Sequence, residues 1–479
     1  MNIDIIILVI YLIVINIIGL KFSGFKNIND YFLGSKSVPW IMICISIVAT
    51  ETSSLTFISI PGVSYATDMS FLQVAFGFLI GRILVAAVLI PKYFEGNFET
   101  VYQFIQTRFG VSSRKVISIV FLVTRLLADS TRLFVTAIPL TLMIGWDYKL
   151  SIGVIGIATF IYTYYGGLKA IIVTDAVQFF LYIICIFIGV YVISDVMSLS
   201  VPAIFSKIPD ESIKIFSTGL QNGLSGLFGS YNIFSGLIGG VFFSFASHGT
   251  DHLVVQRVLS CRDEASAKKA MITSGIIIII QFALFLLLGL FIKVLMAGKQ
   301  FDKPDMVVPY FIINYLPAGF KGIMLAGIFA AAMSTLSSSI NSLSSSTAVD
   351  LLGISKKNIS DSEKVKASRI ISLIWTIVII AISILFNYTS KPLVEVALSI
   401  ASVTYGGMLG IFLLGRFFAG FSEKAAIAGL VTSILTNLII LFATDIFWIW
   451  YVSVGFLVAF ISGFVFSRLF SIRKISSCR

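Results

Sequence analysis

Thirteen apolar stretches of bilayer-spanning length succeed one another along this chain, separated by short charged loops. A backbone in hydrocarbon must satisfy its own N–H and C=O groups, so the stretches read as helices and the fold as all-α, polytopic and membrane-embedded. They are predicted at 3–20, 38–66, 70–93, 113–145, 150–167, 170–194, 232–256, 271–297, 317–352, 367–388, 393–416, 424–444 and 446–470. Charged residues make up 12% of the chain, about half the share of a soluble domain, which sets aside soluble enzymes and nucleic-acid binders. A bilayer is therefore the first partner. The net charge of +11 is explained by cytoplasmic lysines and arginines rather than by an acidic partner. Cys44, Cys185, Cys261 and Cys478 show no paired spacing, and two histidines, His248 and His252, are too few for a histidine metal centre. No cleavable signal is evident, because the first stretch is long enough to span and lacks a basic leader.

Lys21, Lys26 and Lys36 fix the loop after the first helix as cytoplasmic. Alternation from there puts 23 of the 34 Lys/Arg inside and 7 outside, an asymmetry that one missed or added span would scramble. The N-terminus is thus expected outside and the C-terminus, with Arg473, Lys474 and Arg479, in the cytoplasm. Residues 98–108 read as a short amphipathic helix at the interface, and 195–231 as a long external loop. Two helices look interrupted: 38–66 by Ala49–Ser54 (ATETSS), and 232–256 by Gly239-Gly240 and the polar run SFASHGTDH that follows a few residues on. Each opens a set of five helices, and five is odd, so the second set is inverted. Such inverted repeats mark many secondary transporters, with the binding site at the breaks near the midplane. The expected organisation is an extra helix in 1–24, a first repeat in 38–194, a second in 232–416, two further helices in 424–470 and a cytoplasmic tail, 471–479.

Within 317–352 lies a hydroxyl-rich run, AAAMSTLSSSINSLSSSTAVD (330–350). Ser334, Ser337, Ser338, Asn341 and Ser345 share one helical face, while Leu336, Ile340 and Leu343 share the opposite one. The hydroxyls must face protein or a wet cavity. Two readings stand: hard oxygens for a cation such as Na+, or a small-residue seam between helices. Ionisable residues inside spans are functional candidates. Arg125, Asp129 and Arg132 lie on one face at i, i+4 and i+7, with Glu51 at comparable depth and Arg82 in mid-span. They read as a cavity whose arginines hold a carboxylate, or as a network in which Arg125, Asp129, Arg132 and Glu51 neutralise one another. His248 and His252 read as local hydrogen-bond partners, and Gly166-Gly167 as a tight inner turn. No nucleophile–base pair appears, so an enzyme is not expected.

Four motifs in order, ATETSSLTFISIPG (49–62), GGLKAIIVTDAVQ (166–178), GTDHLVVQR (249–257) and the serine-rich run, resemble the sodium:solute symporter family over nearly the whole chain. The resemblance implies two inverted five-helix repeats and Na+ coupling. It implies a sodium site from the backbone carbonyls of Ala49, Thr52 and Ala331 with the hydroxyls of Ser334 and Thr335. It also implies a second station at Ser334, Ser337, Ser338 and Asp175, as in some relatives. For solute it points to Glu51, Ser53, Thr56, Gln73, Arg125, Arg132 and Ser244. The expected function is Na+-coupled import of a small carboxylate-bearing solute such as an amino acid, sialic acid or monocarboxylate. A neutral sugar or polyol is the alternative within transport. Sugar transporters' aromatic residues near the second break are not matched by Ser244–Ser247, which weakens it. A membrane sensor is the alternative of another class.

Overall fold

The computed structural model describes residues 3–476 except 26, 97, 220–225, 227, 230, 298, 387–392 and 419. Lys26 and Arg479, used above for orientation, lie outside the described residues, as does Cys478. The described chain is helical from end to end, with one isolated bridge between Val38 and Cys261. Its spans are α1 (Ile3–Leu20), α2 (Trp40–Glu51), α3 (Ser54–Ala66), α4 (Leu72–Glu95), α5 (Val111–Ile144), α6 (Tyr148–Met197) and α7 (Gly240–Gly249). There follow α8 (His252–Leu259), α9 (Glu264–Leu295), α10 (Phe320–Leu351), α11 (Asp361–Leu385), α12 (Leu393–Phe417), α13 (Glu423–Ala443) and α14 (Trp450–Ser476).

These helices coincide in position with the thirteen expected stretches, with α2/α3 and α7/α8 each a broken helix and α6 two stretches in one run; among the described residues nine helices, or ten with α2/α3 taken as one, are long and apolar enough to cross a membrane. The joint in α6 is a single residue. Gly167 adopts φ 53° and ψ −161°, and a Cβ there would stand 2.6 Å from the Tyr31 carbonyl, so glycine alone fits.

Both breaks are built alike. Between α2 and α3 the helices bend by 65°, Ser53 is extended, and the Thr52 hydroxyl donates to the Val48 carbonyl at 2.8 Å. Between α7 and α8, the Thr250 hydroxyl donates to the Ala246 carbonyl at 2.9 Å. Asp251 then caps α8, accepting from the Leu253 N–H at 2.9 Å. Threonine hydroxyls that bond four residues back compete with the helix ladder where it stops. The second break thus sits at Thr250–Asp251, within the expected run SFASHGTDH, while Gly239-Gly240 adjoins one wide π turn over Ser235–Gly239.

The serine-rich α10 has no lipid face: every residue from Met324 to Ser346 is buried, the leucine face included. Small side chains let neighbours close on it from all sides, whereas α1 turns Ile10, Ile13 and Ile17 outward. The amphipathic segment at 98–108 forms the helix Tyr102–Phe109, which buries its apolar side against the protein and exposes Thr107 and Arg108. Tyr102 and Ile105 are fully buried, with Tyr102 packed against Phe121, His252 and Phe412.

Candidate functional site

The end of α2 and the middle of α10 are stitched together by hydroxyls. Ser334 donates to the Ala49 carbonyl at 2.9 Å and approaches that of Ala331 at 3.2 Å. Thr335 approaches the carbonyls of Thr50 at 3.1 Å and Ala331 at 3.3 Å. Four of the five expected sodium-site residues therefore meet at one point. Thr52 lies at the break itself, where its hydroxyl accepts from Gln281 at 2.6 Å. Thr50, absent from the expected set, supplies the carbonyl opposite Thr335; its place inside ATETSS was the available signal. Neutral oxygens gathered in a dry setting suit a hard monovalent cation, which has little preference beyond oxygen donors and size.

One turn further along α10 a second cluster forms around Asp175. Its Oδ2 accepts from Ser46 at 2.5 Å and from Arg257 at 3.1 Å. Arg257 also bonds Ser338 and, through Nε, Ser46 at 2.7 Å. Ser337 and Ser338 both turn their hydroxyls to the Ser334 carbonyl, at 3.1 and 2.6 Å. The expected second-station residues are thus brought together, but with a buried guanidinium among them that sequence reasoning did not assign. Arg257 closes the motif GTDHLVVQR, which was its signal. Asp175 Oδ1 has no protein hydrogen-bond partner, so the carboxylate keeps one acceptor beyond the Arg257 pair.

Beside these clusters lies a cavity. Glu51, Ser53, Thr56, Arg125 and Arg132 line it as expected. Gln73 and Ser244 do not. Gln73 is buried, bonded to the Ser70 carbonyl at 3.2 Å, and Ser244 donates to the Phe78 carbonyl at 2.9 Å. From α7, Phe243, Ser247 and His248 reach the cavity, the last two joined by a 2.9 Å hydrogen bond.

The intramembrane charges separate into distinct groups. Glu51 pairs with Arg82, which is fully buried and also holds Ser274 at 2.7 Å, and His248 stands 3.5 Å from the same carboxylate. The single network of Glu51 with Arg125, Asp129 and Arg132 is therefore corrected: Arg82, reaching across from α4, is the partner of Glu51. Asp129 takes Arg132 at 2.7 Å, Arg125 at 3.3 Å and the Ser339 hydroxyl at 2.5 Å. Arg125 reaches on to Asp251 at 3.3 Å, and Asp251 accepts from Tyr405 at 2.5 Å. The two arginines differ. The Arg125 side chain is 6% exposed between two carboxylates, whereas that of Arg132 is 17% exposed and is held by one. Arg132 and Ser53 also border a small cavity that reaches Thr335.

Two broken helices around a midplane cavity, closed against a hydroxyl-rich central helix, define a secondary transporter. A sequence profile of the sodium:solute symporter family matches residues 31–433. The sodium/sialic acid symporter NanT of Aliivibrio fischeri is 27% identical, covering 96% of this chain and 92% of its own length. SiaT of Proteus mirabilis, also a sodium/sialic acid symporter, is 28% identical over 97% and 94%. A solved structure of a Na+-coupled sialic acid symporter, substrate-bound and outward-open, superposes with TM-score 0.87 at 26% identity, covering 98% of each chain. Mhp1, a nucleobase-cation-symport transporter in a closed conformation, shares the fold with TM-score 0.56 at 13% identity. The chain belongs to the sodium:solute symporter family. It is a multi-pass membrane protein that couples solute movement to Na+, and not an enzyme.

Proposed function

We propose that this symporter imports a small carboxylate-bearing solute, with Arg132 as the carboxylate's partner and the α2–α10 junction as the sodium site. The observation that carries the reading is the position of Arg132: it borders both the main cavity and the small cavity beside Thr335. A guanidinium offers paired donors matched to two carboxylate oxygens. Charge balance supports the same solute. Around the cavity, Arg82, Arg125, Arg132 and Arg257 are matched by Glu51, Asp129, Asp175 and Asp251. Sodium entering such a balanced interior adds one positive charge, which a carboxylate answers. That the sialic acid symporters NanT and SiaT carry a carboxylic acid sugar agrees with this reading.

The sodium ligands on this reading are the carbonyls of Ala49, Thr52 and Ala331 and the hydroxyls of Ser334 and Thr335. Ser334, Ser337, Ser338 and Asp175 form the second station, where an ion shares Asp175 with Arg257. Solute meets Ser53 and Thr56 of the first break beside Arg132, while Arg125 holds α5 to the second break through Asp251. Repeats spanning 38–194 and 232–416 rock around this centre, with an extra helix in 1–24, two more in 424–470 and the tail 471–479. The N-terminus is outside and the C-terminus cytoplasmic. Each 100 mV of membrane potential contributes about 2.3 kcal/mol per charge moved, enough to accumulate solute against a gradient. Purified protein screened by thermal shift against carboxylates, amino acids and sugars, with and without Na+, tests the reading. Stabilisation by carboxylates that requires Na+ is expected; stabilisation confined to neutral sugars would refute it.

A further inference from the structure

An open pocket lies at the end of the bundle that the proposed orientation places in the cytoplasm, away from the solute cavity. Lys92 reaches it from the last turn of α4, Arg108 from the helix Tyr102–Phe109 and Arg416 from the end of α12, with Glu95 and Thr107 beside them. Arg108 donates its Nε–H to the Gly415 carbonyl, and Arg416 donates its own to the Val88 carbonyl at 3.3 Å. Each guanidinium is thus held along one edge by backbone. The arginines of the buried interior, Arg82, Arg114, Arg125, Arg132 and Arg257, all hold carboxylates. Among the described residues Arg108 and Arg416 hold none, and Lys92 pairs with Glu95 at 2.5 Å on the exposed rim. Three cations against one carboxylate leave the pocket with a clear positive excess. Both α4 and α12 are long and apolar enough to cross a bilayer, and both end here. Phe417, next to Arg416, is exposed, which suits contact with lipid rather than water.

We infer that this pocket binds a phosphate group, that of an anionic phospholipid headgroup in the adjoining leaflet. A guanidinium fork matches two phosphate oxygens, and the Lys92 ammonium adds a point charge. Basic pockets between spanning helices at the membrane surface hold headgroups in this way. The level of the pocket, where two spans end beside an exposed ring, favours a lipid over a free phosphate. A headgroup there would join α4 of the first repeat to α12 of the second, beside the link that Arg416 already makes to Val88. Which leaflet supplies it rests on the orientation proposed above; the chemistry of the pocket does not.

The test titrates the full chain in detergent with dioctanoyl phosphatidylglycerol, dioctanoyl phosphatidylcholine or inorganic phosphate, reading half-saturation from the rise in Tm. Phosphatidylglycerol should half-saturate at least about tenfold below both of the others, the scale set by two or more cations facing one anionic headgroup. Equal midpoints for the two lipids overturn the site. A midpoint for inorganic phosphate at or below that of phosphatidylglycerol assigns the pocket to a soluble phosphate and overturns the lipid source. Removing Arg108 and Arg416 together, each as Arg→Gln, should raise the phosphatidylglycerol midpoint at least about twentyfold, about fivefold for each charge lost. Lys357→Gln, exposed in the loop between α10 and α11, removes one charge outside the pocket and should stay within about twofold of wild type. Because the two arginines also hold backbone, Glu95→Gln gives a reading that does not depend on the double variant folding. It removes the pocket's carboxylate from the exposed rim and should lower the phosphatidylglycerol midpoint about fivefold. A double variant that binds like Lys357→Gln, or a Glu95→Gln midpoint equal to wild type, overturns the inference.

Discussion

Replacing Ser334 with alanine removes one hydroxyl from the junction between α2 and α10 and touches nothing else of size. Without the cation, the loss is the hydrogen bond to Ala49 at 2.9 Å and the longer contact to Ala331 at 3.2 Å. A buried hydrogen bond contributes about 1 kcal/mol net, so the fold should survive with a modest drop in Tm. With the cation, the same oxygen is a direct ligand, and an interaction with a charge is worth about 1.5–3 kcal/mol. Na+ affinity should therefore fall about ten- to hundredfold, since about 1.4 kcal/mol is a factor of ten. Ser344→Ala is the matched control: its hydroxyl bonds the Ile340 carbonyl at 2.6 Å in the same buried helix, away from the break. Titrating Na+ against Tm, with choline holding ionic strength constant, separates the two losses. Both variants should melt slightly earlier, and Ser334→Ala alone should need more Na+ for half its stabilisation. Equal Na+ midpoints in Ser334→Ala, Ser344→Ala and wild type would refute the site.

Three further outcomes follow from the geometry. Arg132→Gln should weaken solute binding by about 1.5–3 kcal/mol in calorimetry, with Arg132→Lys recovering part of it, because one charged pair is lost. Arg125→Gln strands Asp251 beside Tyr405 and should cost about 3–5 kcal/mol of stability, read as a lower Tm with or without solute. Gly289→Ala should destabilise by about 1–3 kcal/mol with Na+ affinity unchanged, since its Cβ would stand 2.1 Å from the Pro61 carbonyl and force α9 off α3.

Span positions were legible because length and hydropathy alone set them, and the first break was legible because a glutamate and hydroxyls cannot face lipid. The second break lies at Thr250 and Asp251, inside the expected polar run SFASHGTDH; the glycines before that run are no part of it, since Gly236 and Gly240 serve close crossing with α4. Spacing within one helix left Ser334 and Thr335 open between a packing seam and a cation site, and only the family resemblance pointed to sodium. Their contact Thr50 lies 285 positions upstream of Thr335, and Arg82, Arg257 and Tyr405 reach their partners from other helices, so no local pattern announces those pairs. Gln73 and Ser244 failed for a related reason: a residue in a lining helix need not face the cavity, and both turn toward backbone carbonyls.

Coupling is the central claim, and paired flux measures it. In proteoliposomes of the full chain, an inward Na+ gradient should accumulate a carboxylate solute, and an inward gradient of that solute should draw in labelled Na+. Both fluxes should collapse together in Ser334→Ala. Solute accumulation that persists in choline, or labelled Na+ entry indifferent to solute, would contradict the account.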